Sequence, residues 1–250
     1  MTRQQHAHRT IRTAADVGEL GTILGVWAHP DDEAYLSGGL MAMARDAGSR
    51  VVCVTATRGE RGTPDPERWL PDRLADTRAA ELARCLDILG VREHHWLGYR
   101  DGGCAAAPVS AAVARLAGLI EDVRPDTVVT FGPHGNTGHA DHRTVAAWTA
   151  AAFDRAAPPG ARLLQTVVTE RWVRRWRAVN ERFGVFEDGY PVTDPDGPLA
   201  VDLALDGEQV ARKVRALRAQ TSQTAALIAM MGAADYAAWV AEETFAERVR

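Results

Sequence analysis

The sequence predicts an α/β fold, a three-layer α/β/α sandwich whose sheet is mostly parallel over the first two thirds of the chain. Three observations predict it. Apolar runs without polar alternation, TILGVW (22–27) and RVVCVTAT (50–57), suit strands covered by helices on both faces. Strand-like and helix-like segments alternate from residue 22 to 153, as in βαβ units. The polar residues with chemical potential gather in four loops, 28–35, 58–71, 98–104 and 132–142, at the carboxyl ends of the expected strands, where such sheets bind ligands.

Taken in order, residues 1–20 form a loose polar lead, with one short helix expected from Ala14 to Leu20. The strand 22–27 follows, then a helix from Leu36 to Ala47 that stops near Gly48. After the strand 50–57, glycine and proline interrupt RGERGTPDPERWLP (58–71) too often for regular structure. Leu74, Leu82, Leu86 and Leu89 then mark one face of a helix from Asp72 to Leu89, terminated by Gly90. EHHWLG (93–98) is a short strand, with one packed and one exposed imidazole expected at His94 and His95. Val109 to Val123 is a helix, DTVVTF (126–131) a strand and Asp141 to Phe153 a helix. Up to this point the pattern is Rossmann-like. The remainder is less regular: strands at 163–170 and 199–205, a proline- and aspartate-rich stretch at 188–198, and one long helix from Gly207 to Leu227. No linker marks a second domain, so residues 21–250 are expected to form one domain with an irregular C-terminal elaboration.

Composition narrows the function classes. At 250 residues, 46% hydrophobic and 25% charged, the chain can bury a sizeable core. A formal charge of -4 implies no broad basic surface, which argues against a nucleic-acid partner. Three cysteines, Cys53, Cys85 and Cys104, form no disulfide framework and show no paired metal spacing. No apolar run approaches the roughly 18 residues of a membrane span, and charges throughout the first 20 residues oppose a secretory signal. The expectation is a cytoplasmic enzyme acting on a small molecule, with a homo-oligomer admissible.

The segment WAHPDDEA (27–34) sets His29, Asp31, Asp32 and Glu33 at the mouth of the first strand. Clustered carboxylates repel one another and are costly to desolvate unless positive charge lies among them. A second cluster, His134, His139, Asp141 and His142, lies in GPHGNTGHADH (132–142). If the two loops follow neighbouring strands, they converge. Two imidazoles and a carboxylate with an open position suit a hydrolytic zinc site. Each loop alone is weak evidence, since a lone surface His–Asp pair is more often solvated or hydrogen-bonded than catalytic.

AHPDDE, TRGERG, WLGYRDG, GHADH and ALRAQTSQ follow one another in an order that resembles LmbE-like (PIG-L) N-acetylglucosaminyl-phosphatidylinositol de-N-acetylases, a family that includes the mycothiol-pathway deacetylases. The resemblance spans about residues 22–225. It implies zinc held by His29, Asp32 and His142, with Asp31 as general base. It also implies that His139 stabilises the tetrahedral intermediate and that Asp141 positions His139. The implied reaction is hydrolysis of an N-acetyl amide on a glucosamine-containing small molecule. An amidase for a non-sugar or mycothiol S-conjugate substrate, or an inactive sugar- or metabolite-binding protein, remain alternatives. The chain departs from the family's late motif, carrying Gln220 where a histidine is usual.

Around this centre, Glu60 and Arg58 in the glycine-rich loop, Arg100 and Asp101 at the third strand end, and His134 and Asn136 near the histidines are candidate substrate contacts. Glu33 is expected to favour a helix start or accept backbone hydrogen bonds. Trp172 and Trp176 sit among arginines in ERWVRRWRAV, with two readings: an anion-attracting patch, or a helix face packed inward with arginine stems along its flanks.

Overall fold

The computed structural model describes residues 9–63, 65, 67, 69–193 and 198–249. Its centre is a seven-stranded sheet. The strands are β1 (Ile23–Trp27), β2 (Val51–Thr57), β3 (Glu93–Tyr99), β4 (Thr127–Thr130), β5 (Arg162–Thr166), β6 (Leu199–Ala204) and β7 (Glu242–Glu247), in spatial order β3-β2-β1-β4-β5-β7-β6. β1 to β5 are parallel; β7 runs antiparallel to both β5 and β6. β1, β2 and β4 are buried along their whole length, as their unbroken apolar runs require.

The helices are α1 (Ala14–Val17), α2 (Asp32–Asp46), α3 (Pro71–Leu89), α4 (Val109–Val123), α5 (Ala140–Ala156), α6 (Glu170–Phe183), α7 (Gly207–Ala219), α8 (Thr221–Met231) and α9 (Ala233–Trp239). α2, α3 and α7 pack together as one layer, and α4 packs on α5 as another. Gly90 ends α3 in the left-handed conformation, φ 79°. Among the described residues no helix is long and apolar enough to cross a membrane.

Three expectations need correction. The lead is not loose over residues 9–20: Ile11 bridges Val201 and is 1% exposed, while Val17 and Leu20 are fully buried. Its three large apolar residues all face the core, while Ala14 and Ala15 are exposed. Residues 1–8 lie outside the described residues, as does part of the 188–198 stretch. The single helix expected over 207–227 is two, α7 and α8, broken at Gln220. There Glu81 of α3 accepts the backbone N–H of Ser222 at 2.9 Å and also its hydroxyl, opening a new helix. Finally, α2 begins at Asp32, four residues before Leu36, so the acidic motif occupies the first turn of the helix.

Between β1 and β4 the sheet reverses its order of growth: β2 and β3 follow β1 on one side, while β4 and β5 extend the other. The loops leaving β1 and β4 therefore meet at a topological switch point. This places residues 28–31 beside residues 131–139.

Candidate metal centre

Three donors converge there. His29 Nδ1 and His142 Nε2 are 3.2 Å apart, His142 Nε2 and Asp32 Oδ1 3.3 Å, and His29 Nδ1 and Asp32 Oδ2 3.7 Å. Zinc ligands at bond lengths of about 2.0–2.1 Å in a tetrahedron stand roughly 3.3–3.4 Å from one another. The His29–His142 and His142–Asp32 Oδ1 spacings fit ligands of one cation, while Asp32 turns its other oxygen, Oδ2, towards His29.

Each donor is aimed by its other polar atoms. His29 Nε2 lies 3.1 Å from Asp101 and 3.3 Å from Asp141, both acceptors, so the proton sits on Nε2 and the Nδ1 lone pair faces the centre. His142 Nδ1 lies 3.0 Å from the Gly135 carbonyl, which leaves its Nε2 lone pair free. Phe131 stacks on the His142 ring at 4.3 Å and fixes its plane. Asp32 Oδ2 accepts the His29 backbone N–H at 2.8 Å.

The electrostatics ask for positive charge. Burial pulls the His29 imidazole down, but Asp101, Asp141 and Asp32 outweigh it and push it up to about 10. Burial, with His29 and His139 nearby, pulls His142 down to about 4 despite Asp32, so its ring is neutral and its lone pair available. A divalent cation on His29 Nδ1 would supply the charge that a second proton otherwise would.

Asp31 stands apart from these donors. Its backbone has φ 103°, a region that side chains rarely occupy, and its N–H is held by Glu33 Oε2 at 3.0 Å. Arg78 donates to Asp31 Oδ2 at 3.2 Å and to the Pro30 carbonyl. Burial pushes the Asp31 carboxyl up; Arg78 and His29 draw it down, Asp32 and Asp101 raise it, and it settles at about 7.

His139 caps the start of α5, its Nδ1 accepting the Asp141 backbone N–H at 3.2 Å. That nitrogen is therefore unprotonated and the ring carries its proton on Nε2. His139 offers a ligand-type nitrogen within 4.8 Å of those of His29 and His142. The Asp141 carboxylate does not hold this ring, contrary to the role the resemblance implies. It accepts the Gly102 and Cys104 backbone N–H groups at 2.7 and 3.1 Å and faces His29. Two backbone N–H groups and His29 claim its two oxygens.

A cavity of about 600 Å³ opens onto this cluster. Asn136 and Asp101 line it; the other four candidate substrate contacts do not. Arg58 is drawn away by Asp76 at 3.1 Å and lies over the Trp96 ring. Arg100 is exposed. His134 is exposed and borders a separate hollow beside Gln165 and Arg248. Glu60 points into the protein, where Oε1 accepts the Asp101 backbone N–H at 3.0 Å. Asp101 itself is fully engaged by His29 and the Arg61 backbone N–H at 2.8 Å, which makes it a support for His29.

Residues 24–153 match the profile of the PIG-L family, GlcNAc-PI de-N-acetylase. The chain belongs to this family. As a de-N-acetylase it is an amide hydrolase. It is 36% identical to a 1D-myo-inositol 2-acetamido-2-deoxy-alpha-D-glucopyranoside deacetylase of Kineococcus radiotolerans, over 80% of this chain and 68% of that protein. Its fold resembles the N,N'-diacetylchitobiose deacetylase of Pyrococcus horikoshii, with TM-score 0.60 and 22% identity over 91% of this chain and 83% of that one. It also resembles the zinc-inhibited form of the teicoplanin deacetylase Orf2, with TM-score 0.65 and 16% identity over 92% and 98%.

One group in this de-N-acetylase escapes the sequence reading, Arg78, while Glu33 goes beyond the helix start and backbone hydrogen bond expected of it. Arg78, 3% exposed, occupies the core stripe of α3 between Leu74 and Leu82, and a guanidinium on that face was the available signal. Gly59 is needed beside it: φ is 65°, and a Cβ would strike the guanidinium. Glu33 is fully buried, accepting from Gln220 Nε2 at 2.6 Å and facing Cys85 Sγ at 3.4 Å as well as Asp31. Burial, Asp31 and Asp32 push its carboxyl up to about 8. Gln220 thus meets Glu33 as a neutral hydrogen-bond donor.

Proposed function

We propose that the chain removes the acetyl group from an N-acetylated, glucosamine-containing small molecule, with zinc held by His29, Asp32 and His142. The observation that carries this reading is the close approach of His29 Nδ1 and His142 Nε2, with an Asp32 oxygen beside each nitrogen and both rings oriented by a second partner. When bound there, zinc acidifies a water and polarises the amide carbonyl.

The chain's own groups divide the remaining work. Asp31, close to the donors yet held off by Arg78, takes a proton from the attacking water at its carboxylate and returns it to the departing nitrogen. His139 donates from Nε2 to the carbonyl oxygen as negative charge develops. It acts as a neutral imidazole, because an imidazolium would have no acceptor for the Asp141 amide. Asp101 and Asp141 hold His29 in its working tautomer. The products are acetate and a free amine. Arg61, Asn136 and Gln223 place polar groups in the cavity for sugar hydroxyls. Three unpaired buried cysteines suit a reducing, cytoplasmic setting.

The test is direct. Purified protein should bind about one zinc per chain and release amine from N-acetylglucosaminyl compounds, with loss on chelation and recovery on zinc addition. Stoichiometric zinc with no amine release across such a panel would leave a binding protein instead.

A further inference from the structure

The wall facing the histidines is made of different material from the metal centre. Trp172 and Phe183 of α6, Phe186 just beyond it, Leu227 of α8 and Trp239 of α9 line the same cavity. All five lie outside residues 24–153, the part that matches the family profile.

These rings offer carbon, not hydrogen bonds. Trp172 Nε1 donates to the Trp239 carbonyl at 3.1 Å, and Trp239 Nε1 to Asn180 Oδ1 at 3.0 Å. Both indole N–H groups are satisfied within the protein, leaving their ring faces and edges. Trp172 packs at 5.8 Å from Trp239 and 6.2 Å from Phe186, so the wall is fixed. No arginine of α6 lines this cavity, and Arg171 pairs with Glu242 at 2.7 Å and Arg174 with Glu170 at 2.8 Å. With Trp172 bonded to Trp239 and Trp176 buried, the arginine-flanked tryptophans form a packed helix face.

Hydroxyls directed into this wall would find no partners there. An apolar group would gain from leaving water. A volume of about 600 Å³ is in the range that takes a whole drug-sized ligand, roughly 300–1,000 Å³, and leaves space beyond one sugar ring.

We infer that this chain's substrate carries an apolar substituent, aromatic or short alkyl, seated on Trp172, Phe186, Leu227 and Trp239 while the acetamide faces the histidines. The inference rests on the deacetylase reading and adds the chemistry of the substrate's other end. The apolar group can sit on the sugar's aglycone or extend the acyl chain.

Two substrate series separate these sources: alkyl glycosides of N-acetylglucosamine from methyl to hexyl, and methyl glycosides with N-acyl chains from acetyl to hexanoyl. In one of them kcat/KM should rise about fourfold per added methylene, the gain from burying each one. The series that rises identifies the end that carries the group. Phe186→Ser and Leu227→Asn should each flatten the rising series. A flat or falling response in both series overturns the inference while leaving the deacetylase reading intact. If the zinc-loaded protein turns over no compound, the deacetylase reading fails, and calorimetry on the metal-free protein decides the wall separately. There, hexyl glycoside or hexanoyl amide should bind at least tenfold more tightly than the methyl, acetyl parent, a preference lost in Phe186→Ser. Equal binding of all three rules out an apolar seat.

Discussion

The cavity has two ends, and they are built in opposite ways. At one end, loops after β1 and β4 bring together side chains more than a hundred positions apart in sequence, all polar, nearly all buried and each held by a second partner. At the other, Trp172, Phe183, Leu227 and Trp239 of α6, α8 and α9 supply aromatic and aliphatic surface with both indole N–H groups bonded within the protein. The sheet fixes the first end, because parallel strands leave no freedom about where their carboxyl-end loops meet. The second is appended to the sheet through β7 and β6 and none of its apolar residues bonds a donor directly. Chemistry is thereby separated from substrate choice.

The sharpest way to break that separation is within the first end. Asp31→Asn keeps the shape of the loop and all three donors but removes the base. Turnover should fall by about 10²–10⁴ while zinc stoichiometry stays at the wild-type level. His29→Ala should instead lose the metal itself. Metal analysis and kcat on both variants check this, and equal metal loss in the two would mean that Asp31 is a ligand.

The joint between the ends gives the next largest effect. Lys213 of α7 and Glu243 of β7 form an ion pair at 2.7 Å with both side chains fully buried. Glu243 also accepts the Gly39 and Leu40 backbone N–H groups of α2, each at 2.7 Å, and Lys213 donates to the Tyr35 carbonyl. In an uninterrupted helix the Gly39 amide would bond that carbonyl, so the pair is inserted into the helix that carries the acidic motif. Lys213→Met leaves a buried carboxylate without its counter-ion and should cost about 3–5 kcal/mol in urea unfolding. Adding Glu243→Gln should recover a substantial part. No recovery would place the cost in packing rather than charge.

The same contrast explains what could be seen in the sequence. His29, Asp32 and His142 were legible because the motifs carry them and the parallel sheet dictates that their loops meet. Asp101 was legible as a site residue but not as the support of His29, since which atom a carboxylate faces depends on a rotamer. Arg58, Arg100 and His134 have the right loops and the wrong directions. β7 was missed altogether: EETFAE alternates too weakly, and it is a strand only because β5 and β6 lie on either side. The apolar wall comes from residues distributed over 172–239, with no local pattern that marks them as neighbours.

Supports should matter less than donors, and Asp101 measures by how much. Asp101→Asn keeps the volume but removes the charge facing His29 Nε2, and its amide can turn either end towards the ring. Zinc affinity should fall about 10- to 100-fold, with the fold intact by circular dichroism. A loss as large as that of His29→Ala would make Asp101 a ligand; no loss would leave Asp141 alone sufficient to orient the ring.

The smallest effect comes from a histidine that faces neither end. His94 of β3 places Nε2 3.0 Å from Thr55 Oγ1 and packs edge-on against Trp96. Burial, with His95 adding to it, lowers its imidazole from 6.5 to about 4. The unfolded chain therefore takes up a proton below pH 6.5 that the folded chain refuses until about pH 4. Stability is lost across that window as pH falls, by about 1–2 kcal/mol at pH 5 after allowing for partial exposure. In His94→Gln the side chain keeps a polar partner for Thr55 but cannot titrate. Its urea-unfolding free energy should fall less between pH 7.5 and 5 than that of the wild type, by that amount. The comparison isolates His94 from His29 and His142, which titrate in both proteins, and an identical fall in the two would assign the acid sensitivity to the metal end alone.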